Sequence, residues 1–211
     1  VELSVGMAMA VRRKIQEGDF AVRNGKTSAG LVGTEICGRT VGIVGFGQIG
    51  FKTARLFHAF GAEVLAYARH EKEEWKEAGI RYADMDTLLK ESDIVSLHLP
   101  LNEGTKGFFD GTMIGKMKKD AILINCARGP IVDNAALAEA LNEDKIAGAA
   151  IDVFDMEPPI PADYPLCHAK NILLTPHVAF ATKEAMVRRA KIEFDNVYAY
   201  LNGKPENLCK I

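Results

Sequence analysis

The sequence has few cysteines, no surplus of either charge and no long apolar run. Its four cysteines, Cys37, Cys126, Cys167 and Cys209, include no pair with C-x-x-C spacing. That scatter argues against a disulfide framework or a metal site and favours a reducing, cytoplasmic location. No apolar run approaches the roughly 20 residues that cross a bilayer, and no signal peptide is predicted.

Positive and negative charges almost cancel, with Lys+Arg 26 against Asp+Glu 28 and a net charge of −2. This balance provides no attraction to nucleic acid or to an anionic membrane, so neither is expected as a partner. The hydrophobic share of 48% indicates a globular protein with a core. The length suits one domain of roughly 150 residues plus a further part. Because Val1 already lies in a predicted helix, we expect a piece of a longer protein.

Short apolar runs alternate with helical patterns along most of the chain. The runs at 122–124 and 172–174 are continuously apolar, which is typical of strands covered on both faces in a parallel sheet. Predicted strands are Thr40–Phe46, Glu63–Arg69, Ile80–Tyr82, Ile94–Pro100, Ala121–Ala127, Ile146–Val153 and Asn171–His177. Predicted helices are Gln48–Phe60, Met85–Glu91, Asn134–Asn142 and Thr182–Leu201. The alternation predicts an α/β fold with a doubly wound parallel sheet, in one domain over residues 1–211.

The two ends of the chain have different patterns. Glu2–Gln16 is predicted to be a helix, and the glycine-rich stretch Gly18–Gly38 is predicted to be irregular. Residues 1–38 therefore suit either a surface arm or a dimer arm, since so long a loop is rarely without a role. The last helix is expected to stop at Asn202-Gly203.

A glycine-rich motif, Gly45-x-Gly47-x-x-Gly50, follows the first predicted strand and opens the next helix. Gly45 permits a tight turn, Gly47 lets the backbone approach a pyrophosphate, and Gly50 lets helix and strand pack closely. The helix N-terminus adds free N–H groups and a favourable dipole. In this strand–turn–helix context the motif predicts a Rossmann-type dinucleotide site.

The second strand lacks the acidic residue that commonly binds the adenosine ribose of NAD. Ala68 stands at the expected distance after Gly50, and Arg69, His70 and Lys72 follow it. Arg69 could pair with a 2′-phosphate, which favours NADP. The alternative is that Arg69 is a solvated charge and that the protein uses NAD through other contacts.

Polar residues follow three later strands, at the edge where open α/β sheets bind ligands. They are Arg128, Asp152 with Glu157 in the next loop, and His177. Arginine can bind a carboxylate and polarise a carbonyl, and histidine can donate a proton to a developing alkoxide. A carboxylate near that histidine would stabilise its protonated form. Together they suit hydride transfer to a 2-oxo acid.

The strings GFGQIG, HLPLNEGTKG, INCARGP, AAIDVFDMEPP and LLTPHVAFAT occur in an order that resembles the D-isomer-specific 2-hydroxyacid dehydrogenases. The resemblance implies that Arg128 binds the substrate, that His177 is the acid/base and that Glu157 is its partner. It implies that Asp152 holds the nicotinamide carboxamide. The implied cofactor-binding positions are Gly45, Gly47, Gln48, Ile49, Gly50, Ala68, Arg69, Leu99, Pro100, Thr105, Cys126, Ala127, Arg128, Asp152, His177 and Ala179.

Two positions depart from the family pattern. Ala68 stands where members that use NAD carry an acidic residue, and Ala179-Phe180 stands where many have glycine. The pair Ala179-Phe180, with Pro158-Pro159 and residues 162–166, is more similar to hydroxypyruvate/glyoxylate reductases and D-lactate dehydrogenases. The substrate would then be a small 2-oxo or 2-hydroxy acid such as hydroxypyruvate, glyoxylate or pyruvate.

The resemblance also implies a domain arrangement. Members have a split substrate domain, which is apparently missing here, and residues 182–211 would form the helix that returns toward it. Residues 1–38 would contribute to a homodimer. We therefore expect the 211 residues to bind dinucleotide but to turn over 2-oxo acids poorly. The alternative is a dinucleotide-sensing module, as in co-repressor relatives of this fold; a formate dehydrogenase is disfavoured because those relatives carry an amide where Glu157 stands.

Overall fold

A computed structural model describes residues 1–76 and 79–208, which form two compact units, 1–179 and 180–211. The first unit contains a seven-stranded parallel sheet with the strand order β3-β2-β1-β4-β5-β6-β7. The strands are β1 Thr40–Val44, β2 Glu63–Tyr67, β3 Arg81–Tyr82, β4 Ile94–Leu97, β5 Ile122–Asn125, β6 Gly148–Ile151 and β7 Ile172–Leu174. The predicted doubly wound sheet is confirmed, and each strand lies within its predicted range.

Helices of the first unit cover both faces of the sheet. They are α1 Glu2–Arg12, α2 Ile15–Arg23, α3 Gln48–Ala59, α4 Glu73–Lys76, α5 Met85–Glu91, α6 Gly111–Ile114 and α7 Asn134–Asn142. The second unit contains α8 Lys183–Leu201. One core cluster contains apolar residues of α1, α3 and α4, and the other those of α5, α6 and α7. In β5, Ile122 and Ile124 belong to the first cluster and Leu123 to the second. Both faces of the strand are thus buried, which explains its continuous apolar run.

The amino-terminal region differs from the prediction. The predicted helix 2–16 breaks at Lys14, which has a left-handed φ of 52°, and α2 continues to Arg23 through part of the stretch predicted to be irregular. The backbone N–H of Thr34 donates to the Arg12 carbonyl at 2.9 Å. This contact places the returning segment against the end of α1, where a continuous helix would cover the carbonyl.

The second unit consists mainly of α8. The Thr182 hydroxyl accepts a hydrogen bond from the Ala185 N–H at 3.0 Å and caps the helix, which ends at Asn202 before a left-handed Gly203. The predicted start and stop of this helix are confirmed. That both units belong to one dinucleotide-binding domain over residues 1–211 stays a prediction.

Within residues 1–76 and 79–208, none of the helices is both long and apolar enough to pass through a lipid bilayer. The same residues contain no group of three or more His, Cys, Asp or Glu side chains that could hold a metal ion. Cys37, Cys126 and Cys167 are free thiols, whereas Cys209 lies outside the described residues.

Candidate functional site

The glycine-rich turn lies at the point where the order of the strands reverses, between β1 and β4. Gly45 has a φ of +96°, and a Cβ there would lie 2.7 Å from the His98 carbonyl carbon, so the turn requires glycine. A Cβ on Gly50 would lie 2.4 Å from the Gly45 carbonyl oxygen, so α3 starts in close contact with the turn. A Cβ on Gly47 would meet nothing within 4 Å. The space above Gly47, next to the free N–H groups that begin α3, is therefore open to a ligand.

This turn forms one wall of a cleft of about 440 Å³. Seven predicted cofactor positions line it: Gly45, Gly47, Ala68, Arg69, Leu99, Pro100 and Thr105. The predicted Gln48 and Ile49 are exposed at the start of α3. His70 and Lys72 join Arg69 in the wall of the cleft, with the Lys72 ammonium 3.9 Å from the centre of the Trp75 ring. The cleft is thus basic at the end of β2, where the sequence places Ala68.

The loop after β4 forms the opposite wall. The Thr105 hydroxyl donates to the Pro100 carbonyl at 2.6 Å and accepts from the Asn102 N–H at 2.9 Å, which closes the loop on itself. His98 lies at the base of the loop, with Nε2 2.9 Å from the Ser96 hydroxyl. Burial lowers the pKa of His98 to about 4, so this imidazole is neutral at physiological pH.

The turn after β5 carries Arg128. The buried Asn125 side chain accepts from the Ala127 N–H at 3.0 Å and donates to the Arg128 carbonyl at 3.1 Å, which fixes the turn. The exposed guanidinium of Arg128 donates to the Ala127 carbonyl at 2.7 Å. Cys126 is partly buried, and burial raises the pKa of its thiol to about 11. This sulfur is therefore a neutral packing group and not a nucleophile.

Asp152, immediately after β6, organises the turn that follows β7. Its side chain is fully buried. One carboxylate oxygen accepts from the Thr175 hydroxyl at 2.5 Å and from the Val178 N–H at 2.9 Å, and the other accepts from the Ala179 N–H at 2.8 Å. The Asp152 carbonyl also accepts from the His177 N–H at 2.8 Å. The carboxylate thus fixes the backbone around His177. The sequence had implied only that Asp152 binds the nicotinamide carboxamide, and it gave no sign of this second role.

The structure brings Glu157 and His177 together. Nδ1 of His177 lies 3.0 Å from a carboxylate oxygen of Glu157. The histidine side chain is 29% exposed and the glutamate side chain 77%. A carboxylate at Nδ1 orients the ring and favours a proton on that nitrogen, which leaves Nε2 to exchange a proton with a ligand. The pair can therefore serve as a general acid or base.

The three candidate catalytic residues lie at one edge of the sheet. Arg128 is the third residue after β5, and His177 is the third after β7, two strands away. Because neighbouring strands lie about 4.8 Å apart, the ends of β5 and β7 are separated by about 10 Å, which leaves room for a small ligand between them. Sequence reasoning missed Asn125 and Thr175, which fix the two turns. The available signal was a polar residue at the end of each apolar strand.

Comparison with known proteins gives the family. Residues 5–179 match the sequence model of the D-isomer specific 2-hydroxyacid dehydrogenase, NAD binding domain. A glyoxylate reductase of Thermofilum pendens is 43% identical over 210 residues, which cover 96% of this chain and 62% of the relative. The chain thus spans less than two thirds of that relative's length.

Two solved structures are similar along almost the whole chain. A D-lactate dehydrogenase with NAD+ from Lactobacillus jensenii is 38% identical with a TM-score of 0.88, and the match covers 100% of this chain and 67% of that one. An acyclic imino acid reductase in complex with NADPH and D-Arg is 32% identical with a TM-score of 0.89, and the match covers 99% of this chain and 66% of that one. The resemblance predicted from the motifs is confirmed: this chain belongs to the D-isomer-specific 2-hydroxyacid dehydrogenase family.

Proposed function

We propose that this chain is the dinucleotide-binding part of an oxidoreductase that interconverts a small 2-oxo acid and its D-2-hydroxy acid. The observation that carries the proposal is the contact of 3.0 Å between His177 and Glu157 at the carboxyl edge of a sheet with a glycine-rich turn. A dinucleotide-sensing module would bind the same cofactor but would not need this acid/base pair. The pair therefore favours an enzyme over the alternative.

The residues present fit a nicotinamide dinucleotide. The open space above Gly47 and the N–H groups that begin α3 would hold the pyrophosphate, and the cleft between β2 and the β4 loop would hold the adenosine. The bound dinucleotide supplies hydride chemistry. The remaining cofactor roles, those of Asp152, Cys126, Ala127 and Ala179 included, follow from the family resemblance.

The chain's own side chains would do the rest. The Arg128 guanidinium binds the carboxylate of the 2-oxo acid and polarises its carbonyl oxygen. His177 donates a proton from Nε2 to that oxygen during reduction and takes it back during oxidation. Glu157 keeps the ring oriented and stabilises the protonated form. The proposed substrates are glyoxylate, hydroxypyruvate and pyruvate, by analogy with the glyoxylate reductase and D-lactate dehydrogenase relatives.

Three further features belong to the same proposal. The basic group around Arg69 favours NADP over NAD. Residues 1–38 contribute to a homodimer, and α8, in the segment 182–211, returns toward a substrate domain of the kind the family resemblance implies. Turnover requires that second domain, because domain closure completes the site.

Dinucleotide binding is tested without turnover by Gly47→Val. The added side chain extends into open space and not into protein, so the fold should be unchanged while the pyrophosphate is blocked. We expect the affinity for NADH and NADPH, measured by fluorescence titration, to fall more than about a hundredfold. Gly6→Val is the matched control, because Gly6 also faces open space but lies in α1. Unchanged dinucleotide binding by Gly47→Val at an unchanged melting temperature would disprove a pyrophosphate site above Gly47.

Catalysis is tested by His177→Ala in the protein joined to a substrate domain. We expect kcat for glyoxylate or hydroxypyruvate reduction to fall by about 10² to 10⁴, far more than any change in the Kd for dinucleotide, because the change removes the proton donor. Undiminished reduction would refute the role of His177. Robust turnover by the 211 residues alone would refute the need for a second domain.

A further inference from the structure

Glu157 reaches His177 from an exposed loop. The loop runs from residue 153 to 164, between β6 and the short 3-10 helix Pro165–His168. Residues 155–159 at its crest are exposed. A single contact between an exposed carboxylate and a histidine is weak, because water screens the charges and the side chain loses rotamer freedom. The position of Glu157 must therefore be fixed by the loop that carries it.

The two ends of this loop meet at Tyr164. Its phenol oxygen donates to a carboxylate oxygen of Asp155 at 2.7 Å. Its ring packs edge-on against Phe154, with centroids 5.8 Å apart and planes at 85°. Both rings are buried, in the same core cluster as α7. Burial and then the contact with Asp155 raise the pKa of Tyr164, so the phenol keeps the proton that it donates. We name this contact the Tyr164–Asp155 clasp.

The start of the loop is also anchored to the turn that carries Arg128. A Cβ on Gly129 would lie 1.7 Å from the Phe154 carbonyl oxygen, so only glycine permits this approach. Phe154 is thereby fixed on one side by the Arg128 turn and on the other by the Tyr164 ring. Asp155 follows directly, and Glu157 is two residues further on. The clasp thus closes a short loop whose base is rigid and whose crest holds the carboxylate.

We propose that the Tyr164–Asp155 clasp positions Glu157 against His177, which makes Tyr164 and Asp155 positioning residues for the proton-transfer histidine. Without the clasp, the loop keeps the Phe154 contact and the packing of Ile160 against the core cluster but loses its hydrogen bond at Asp155, two residues from the glutamate. The geometric part of the proposal concerns this chain alone. Its consequence for turnover rests on the proposed function.

Four variants separate the clasp from other effects. Tyr164→Phe removes the donor oxygen and keeps the buried ring, and Asp155→Ala removes the acceptor. Asp155→Asn removes the charge but keeps an oxygen that can accept the hydrogen bond. Asp163→Ala, the control, removes an exposed carboxylate elsewhere on the loop. A fifth variant, Glu157→Ala, gives the reference state in which the Glu157 carboxylate is absent from Nδ1 of His177.

The first measurement is the tautomer of His177 in the 211-residue chain, from its imidazole ¹⁵N shifts at about pH 9, which is well above the range in which imidazoles ordinarily take up a proton. A carboxylate opposite Nδ1 favours the proton on that nitrogen. We expect Tyr164→Phe and Asp155→Ala to move the tautomer ratio toward that of Glu157→Ala. Asp155→Asn and Asp163→Ala should keep the wild-type ratio. The signals of His58 and His98 report whether each variant is folded.

The second measurement is kinetic, in the protein joined to a substrate domain. We expect Tyr164→Phe to lower kcat about tenfold with less than about a twofold change in KM for the 2-oxo acid, because a misplaced partner weakens proton transfer and not binding. Asp155→Asn should retain the wild-type kcat. The double variant Tyr164→Phe/Asp155→Ala should lose no more than the larger single loss, since both changes break one contact.

The tautomer ratios test the clasp, and turnover tests the proposed function. Wild-type tautomer ratios in Tyr164→Phe and Asp155→Ala would overturn the clasp, as would a Glu157→Ala variant that leaves the ratio unchanged. A protein that reduces no 2-oxo acid would overturn the proposed function, while the tautomer ratios would still decide on the clasp.

Discussion

His177 has a left-handed backbone, with a φ of 56°, which is unusual for a residue other than glycine and costs roughly 1–3 kcal/mol. Four hydrogen bonds to Asp152 offset that cost: two backbone N–H groups and a hydroxyl bind its carboxylate, and the His177 N–H binds its carbonyl. The strained conformation directs the imidazole toward Glu157 and away from the strand. One buried carboxylate thus fixes the backbone that carries the His177 imidazole.

Arg69 is the residue at which cofactor choice can be tested. A guanidinium pairs with a phosphate through charge-assisted hydrogen bonds. Arg69→Ala should therefore lower the affinity for NADPH about 10- to 100-fold and the affinity for NADH less than about twofold. Isothermal titration with both cofactors measures the two affinities. Arg81→Ala is the control, because Arg81 lies on the neighbouring β3 and pairs with Glu91 at 2.7 Å. Equal losses for both cofactors would remove the argument for a 2′-phosphate.

His98 should make the stability of the fold depend on pH. Its pKa is about 4 in the folded chain against 6.5 in an unfolded one, so between these values only the unfolded state takes up the proton. Stability should therefore fall by about 2–3 kcal/mol as the pH drops from 6.5 to 4 and be unaffected by His98 above 6.5. Urea unfolding of wild type and His98→Gln at pH about 7.5 and about 4.5 measures the difference. The same loss in both proteins would contradict the assignment to His98.

At the scale of elements, the sheet could be predicted because its signals are local. Except for the two-residue β3, each β-strand is a mainly apolar run bounded by turn residues. The motif at Gly45 occurs in the sequence context that its role requires. The break between α1 and α2 could not be predicted in this way. It depends on the contact of Thr34 with the Arg12 carbonyl, more than 20 residues away, and Lys14 has no local sequence feature that marks a left-handed residue.

The same distinction applies to the candidate site. That Arg128, Glu157 and His177 lie at one edge of the sheet could be predicted because each follows a predicted strand, and parallel strands bring their carboxyl ends to one edge. For the residues that hold them in place, the sequence offers at most a polar residue at a strand end, as at Asn125 and Thr175, and does not show which distant group each one binds. Asn125 bonds within its own turn, but Thr175 acts through Asp152, and Tyr164 acts through Asp155. Such pairs are joined by the fold and have no fixed spacing in sequence.

At the scale of the whole molecule, the amino-terminal region presents an unusual amount of apolar surface. Ile15, Phe20, Val22 and Val32 are all exposed, and Val32 is 88% accessible. A cleft lined in part by Met9, Ile36 and Phe60 lies in the same region. Exposed apolar side chains grouped in one region can form a protein–protein contact. The net charge of −2 produces little repulsion between two copies. These features support the proposed homodimer.

The dimer can be tested by placing charge on this surface. Phe20→Asp combined with Val32→Asp should convert the protein to a monomer, because two buried carboxylates would lack partners in the interface. Sedimentation at about 10 μM should then give the 23.0 kDa of one chain instead of twice that mass. Phe194→Asp is the matched control: Phe194 is also exposed but lies on α8, which we propose returns toward a substrate domain. If the double variant remains a dimer, or if only Phe194→Asp dissociates the dimer, then the interface does not lie in residues 1–38.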